Sequence, residues 1–205
     1  MPTFPRAREP NSVSILWLPT GLRQRAHSGK IQLRNTQQVG YTWKERWDLV
    51  NVRDTTDMAL MAFIRNSFNR QVIFDITHLQ THGSGLTRQG AGTPAGSILV
   101  KGAAQTGSTL ITDGWPINTP NSVRAGDFIS VGNRLFEVSA NAGSDGIGDV
   151  TIPVTPNVFN SPADNAVVTI DALTIRSMLW ELPQFGQTRN PSYYSFTLTF
   201  VEVIP

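Results

Sequence analysis

The sequence predicts a mainly β protein with one α-helix and a small β domain inserted into a larger sheet. Three observations point there. Short runs alternate apolar and polar residues, Gly and Pro punctuate them, and a long Gly-rich stretch separates two β runs. Period-two alternation puts every second side chain on one face of a half-buried strand. The 17 Gly and 13 Pro fit many turns between short strands. With 40% apolar and 16% charged residues among 205, the chain can fill a core and is too weakly charged for disorder.

Residues 1–10 hold three prolines and read as an arm, either reaching a neighbouring subunit or fraying. Val13, Ile15 and Trp17 then alternate with polar or opposite-facing residues, as do Ile31 and Leu33 after the turn at His27-Ser28-Gly29-Lys30. Tyr41, Trp43 and Glu45 share a strand face, and Trp47 to Val52 continue the extended pattern. One helix is expected over Asp57 to Phe68, with Asp54, Thr55 and Thr56 as N-cap candidates and Leu60, Ile64 and Phe68 on one stripe. Asn69 is expected to end it, and Val72, Phe74 and Ile76 begin the next strand.

From His78 to Gly96 no apolar period is visible, so this stretch reads as a flexible crossing. The second β run follows. Ile98 to Val100 and Thr109 to Ile111 are strands. Asp127 to Val138 forms a tight hairpin around Gly132-Asn133, expected as a type II′ turn with Ile129 opposite Phe136. Val150, Ile152 and Val154 alternate, with Pro153 marking an edge strand. Val167 to Ile175 closes the region. Arg176 to Leu182 then puts Met178, Trp180 and Leu182 on one face, and Tyr194 to Phe200 gives the clearest alternation in the chain. A terminal hairpin is marginal alone. The expected domains are therefore a discontinuous sheet-and-helix unit over 11–80 and 176–205, a linker over 81–95, and an inserted small β-barrel over 96–175.

No cysteine is present, which excludes disulfides, thiolate metal sites and cysteine nucleophiles. Net charge is +2 with a pI near 9.3, and the basic residues read as scattered rather than as a nucleic-acid stripe. No run approaches the roughly 20 apolar residues of a membrane helix. The N-terminus lacks the apolar core of a signal peptide, so a soluble chain made in the cytoplasm is expected, without membrane insertion.

The search for chemistry assigns no catalytic, cofactor-binding or metal-binding residue. His78 and His82 have i, i+4 spacing but lie in a segment without helical pattern. The glycines from Gly83 to Gly96 lack the Gly-Lys-Ser/Thr ending of a phosphate loop. Asp145, Gly146 and Asp149 supply too few oxygens for calcium. No Gly-x-Ser-x-Gly elbow occurs, so the chain is not expected to be an enzyme. Four of the five tryptophans fall in strand-like segments, as core or interface residues do. Trp115, in the turn Asp113-Gly114-Trp115-Pro116, is expected to be exposed and is the first candidate for a glycan contact.

Three stretches carry a resemblance. They are Gly92-Thr93-Pro94 through Val100-Lys101-Gly102-Ala103-Ala104-Gln105-Thr106-Gly107-Ser108-Thr109-Leu110 to Thr112-Asp113-Gly114-Trp115-Pro116; Arg124-Ala125-Gly126-Asp127-Phe128-Ile129-Ser130-Val131-Gly132 with Phe136-Glu137-Val138 and Ser161-Pro162-Ala163-Asp164-Asn165-Ala166; and the ending Tyr193-Tyr194-Ser195-Phe196-Thr197-Leu198-Thr199-Phe200-Val201-Glu202. Together they resemble distal and minor tail proteins of long-tailed bacteriophages. The resemblance implies a tail-tube-like β-sandwich with a flanking helix, plus an additional small OB-like or galectin-like β domain. It implies a virion protein of the tail tip that forms a homohexameric ring. That ring would join the tail tube to hub or tip proteins, and phage DNA would pass through its lumen. A tail-tube subunit, or a carbohydrate-binding module for host adsorption, are the alternatives.

Overall fold

The computed structural model describes residues 3–5, 10–18, 21–25, 31–35, 40–51, 53–79, 88–181, 183, 186–187 and 193–203. In chain order the elements are β1 (Ser12–Leu18), β2 (Gly21–Arg25), β3 (Ile31–Asn35), β4 (Gly40–Asn51), α1 (Thr55–Arg70) and β5 (Phe74–Leu79). Then come β6 (Ile98–Val100), β7 (Gly107–Asp113), β8 (Phe128–Val131), β9 (Arg134–Val138), β10 (Val150–Val158) and β11 (Val167–Thr169). The chain ends with β12 (Ala172–Leu179), β13 (Gly186–Gln187) and β14 (Tyr193–Glu202). The protein is mainly β, with a six-stranded sheet in the order β1-β4-β14-β12-β5, β13 also pairing β14, and a separate closed barrel in the order β10-β7-β6-β11-β8-β9. β2 and β3 pair with each other as a two-stranded ribbon that joins no other strand among the described residues.

The sheet follows from the alternation in its longest strands. Phe200 pairs with Trp43 and Phe196 with Trp47 in the β14-β4 register, and both ring pairs stack, with centroids 5.4 and 6.5 Å apart. Leu60, Met61 and Ile64 of α1 cover this face and are buried with it. Burying each such side chain stabilises the fold by roughly 1.5–3 kcal/mol. Helix α1 starts at Asp54, whose carboxylate accepts from the Thr56 and Asp57 backbone N–H groups. It runs past Asn69 because Gln71 closes it in the left-handed conformation, donating to the carbonyls of Phe68 and Ser67.

Several expectations need correction. The segment read as an arm folds back: Phe4 is buried against Phe63, Phe74 and Phe200, and its N–H donates to the Asp75 carbonyl at 3.0 Å. In β12 the buried residues are Leu173, Ile175, Ser177 and Leu179, so Met178 lies on the opposite face and Trp180 is 59% exposed. The side chain of Leu182 is outside the described residues. The hairpin keeps its predicted register, Ile129 opposite Phe136, but Gly132 (φ 58) and Asn133 (φ 64) are both left-handed, which makes the turn type I′. Asn tolerates that conformation by local side-chain hydrogen bonding. Pro153 is not on an edge, because β10 pairs with both β7 and β9. It sits where the β10-β7 register breaks, the position inside a sheet that a missing N–H tolerates.

The six barrel strands all fall between β5 and β12, which pair with each other from Ala172↔Leu79 to Ser177↔Phe74. β12 thus belongs to the sheet from Ala172 onward, four residues ahead of the expected boundary at 176. Residues 88–92, expected within a linker, are bound into the barrel. Asp127 accepts from the N–H groups of Gln89 (2.6 Å), Gly90 (2.9 Å) and Arg124 (2.9 Å). A Cβ on Gly90 would lie 2.4 Å from the Ser122 carbonyl, and one on Gly92 2.8 Å from the Trp115 ring. These two glycines therefore serve close packing rather than flexibility.

Candidate assembly surfaces and the barrel–sheet junction

The barrel meets the sheet along β12. That strand's partnership with β14 begins only at Ser177↔Glu202, leaving the preceding edge to the barrel. There the Thr174 N–H donates to Ser130 Oγ at 3.1 Å and the Arg176 N–H to the Asn133 carbonyl at 2.8 Å. Leu135, on the outer side of β9, joins the core of the sheet, and Phe128 meets Tyr41 edge-on at 6.2 Å. The Tyr41 hydroxyl donates to the Thr155 carbonyl at 2.7 Å.

Glu202 ties the junction together. It follows Phe196, Leu198 and Phe200 on the core-facing side of β14 and is only 6% exposed. Its Oε2 accepts from the Tyr41 N–H at 3.1 Å and its Oε1 from the Leu135 N–H at 2.9 Å. One carboxylate thus spans a sheet strand and a barrel strand. Burial raises its pKa above the ordinary carboxylate range, opposed by the two N–H groups and by the nearby Arg134 guanidinium. Burial likewise raises the Tyr41 phenol and lowers Arg134. Arg134 is 8% exposed, with its guanidinium carbon 5.2 Å from the Phe136 ring centre and 5.8 Å from that of Phe159. The apolar alternation of the last strand points at Glu202, since an acid at i+6 of an apolar face demands partners. Sequence reasoning did not assign it a role.

Trp115 is not an exposed platform. It is 4% exposed within the barrel core, and its Nε1 donates to Thr112 Oγ1 at 2.8 Å. The turn folds inward because the 143–149 loop closes over it, with the Trp115 N–H donating to the Gly148 carbonyl at 3.2 Å. Trp43 and Trp47 are core residues, and the Trp17 side chain lies outside the described residues. His27 and His82 lie outside them too; His78 sits in β5 with its side chain likewise undescribed. Among the described residues no cluster of His, Cys, Asp or Glu is arranged to hold a metal. Asp145 spends its carboxylate on the N–H groups of Ile147 (3.0 Å) and Asp149 (2.9 Å), and Asp149 pairs with Lys101. These contacts account for the acids that hinted at calcium.

No protein-family model and no curated protein matches the chain. The surfaces must therefore be read from their own chemistry. The sheet is open, and among the described residues β1 pairs only with β4, leaving a row of backbone groups at its outer edge. The opposite edge strand, β5, is partly covered by Thr3 and Phe4. Exposed apolar side chains include Trp180 after β12 and Ile117 and Ile147 on the barrel loops. No described helix is long and apolar enough to cross a membrane.

Proposed function

We propose that the chain is a structural, non-catalytic subunit of a phage tail tip that closes into a ring, hexameric by the resemblance of its sequence to distal tail proteins. In this role it joins the tail tube to hub or tip proteins around a lumen that passes DNA. The observation that carries the reading is the outer β1 edge, unpaired among the described residues, on a sheet with a closed barrel hung between β5 and β12. A long unpaired edge is a pairing template, and native proteins cover it. Head-to-tail contacts that cover such a surface close into a ring when the rotation per subunit allows. The glycan-binding alternative loses its first candidate with the burial of Trp115.

The test is the mass of the purified protein in solution, followed by negative-stain imaging. A hexamer with a central hole is expected. A protein that stays monomeric at the highest concentration reached, with no annular particle, overturns the reading.

A further inference from the structure

The barrel wall parts between β9 and β10. The two strands pair only at Val138↔Val154 and Glu137↔Thr155. Beyond those pairs β9 extends back to Arg134 and β10 onward to Val158, with no further rung between them. β10 turns instead to β7, at Val158↔Gly107. On the β9 side of the split the Leu135 N–H goes to the Glu202 carboxylate.

Arg134 reaches into this split. It lies two residues from Phe136 and so on the same side of β9, toward the barrel core, while Leu135 between them faces the sheet. The guanidinium lies against the rings of Phe136 and Phe159. Nη2 reaches across to the Asn157 carbonyl at 3.5 Å, the long limit of a hydrogen bond. Nε and Nη1 are buried and have no hydrogen-bond partner among the described residues. None of the described ion pairs includes Arg134. Glu202 is close enough for its charge to act on Arg134, but its two oxygens are held by the Tyr41 and Leu135 N–H groups.

Arginine cannot shed its proton, so its donors must be met where they lie. Buried donors without an acceptor are costly, and more so on a charged group. The two aromatic rings stabilise the cation through their faces and supply no acceptor. A carboxylate, sulfate or phosphate group supplies both the oxygens and the opposite charge, and such bonds are strongest where water does not screen them. Asn157 is exposed and Phe159 half-buried, so the β10 side of the split lies at the surface.

We propose that the split between β9 and β10 binds an oxyanion, with Nε and Nη1 of Arg134 as its donors. Phe159 is the side chain that shifts to admit it. The oxyanion is either a free inorganic ion or an acidic side chain of a second copy of the chain, which present the same oxygens. The site stands apart from the ring reading, since a free ion fills it in a monomer.

The test uses the full ¹⁵N-labelled chain, with sulfate as the probe, exchanged for chloride at constant ionic strength. The Nε–H resonance of Arg134 and the backbone N–H resonances of Leu135 and Phe136 are followed. A shared, saturable shift is expected, half-complete at or below about 1 mM sulfate. Arg134→Lys keeps the charge but loses the fork, and should bind at least about tenfold more weakly at the same backbone resonances. The wild-type chain is then concentrated in sulfate-free buffer. A shift that grows with chain concentration and is reversed by sulfate assigns the native oxyanion to a second copy; resonances that stay constant there assign it to a free ion. Resonances that sulfate moves no differently from chloride and that ignore chain concentration overturn the proposal, as does an undiminished response in Arg134→Lys. Neither result touches the ring reading, which the mass in solution tests.

Discussion

Glu202 shows how a single residue couples local pattern to global arrangement. Its carboxylate satisfies two backbone donors from different units, yet it does so in a dry site. A carboxyl whose folded pKa is raised contributes stability that is fully present below its unfolded pKa and lost as pH rises through the folded one. The thermal stability of the wild type relative to Glu202→Gln is therefore expected to fall as pH is raised from about 4 toward 7. A difference in melting temperature that is flat, or that grows with pH, would contradict the assignment of burial as the dominant cause. Trp115 belongs to the same scale. Because it fills the barrel core, Trp115→Ala should cost about 3–5 kcal/mol in chemical denaturation, as a large-to-small core change does. A cost below about 1 kcal/mol would mean the ring lies at the surface.

Among the elements, the β8-β9 hairpin and α1 each rest on one small device. Asn133 holds a left-handed conformation in the turn, so Asn133→Ala should destabilise by about 1–2 kcal/mol and Asn133→Gly by much less. Equal effects of the two would point to a lost side-chain contact instead. Asp54 caps α1, and Asp54→Ala should cost about 1 kcal/mol, read from urea unfolding. The hairpin register was legible because Ile129 and Phe136 face one side whatever the turn type. The turn type was not, since Gly at the first position is compatible with both mirror-image turns, and only the observed φ of Asn133 separates them. For β12 the face was misread because Met178, Trp180 and Leu173, Ile175, Leu179 offer apolar residues on both sides, and local alternation cannot rank them.

At the scale of the whole molecule, the pairing of Leu79 with Ala172 sets where the barrel can be removed. Deleting residues 80–171 and joining the ends with a short Gly/Ser linker turns β5 and β12 into a simple hairpin, and the sheet unit should remain folded by circular dichroism. A cut over 96–175 would instead remove the first half of β12 and should abolish folding. The excised sheet unit should be less stable than the full chain, because Leu135 and Phe128 leave its core and Glu202 loses one donor. Conversely, residues 88–171 have their own closed barrel and apolar core and should unfold cooperatively as an isolated domain. A disordered 88–171 fragment would show that the junction, not the barrel's own core, holds that unit together.

The sequence by itself determined the mainly β class, the helix that follows Asp54, most of the strand positions along the chain and the presence of a second β unit within it, because each follows from local periodicity and punctuation, whereas the order of the strands within each sheet came only from the structure. The tertiary structure alone decided that Phe4 enters the core, that Trp115 is buried, that Gly90 and Gly92 are packing residues, and that Glu202 bridges barrel and sheet. Each of these depends on contacts between residues far apart in the chain. Burial and hydrogen-bond satisfaction are set by what comes to lie opposite a residue, and spacing along the sequence does not encode it.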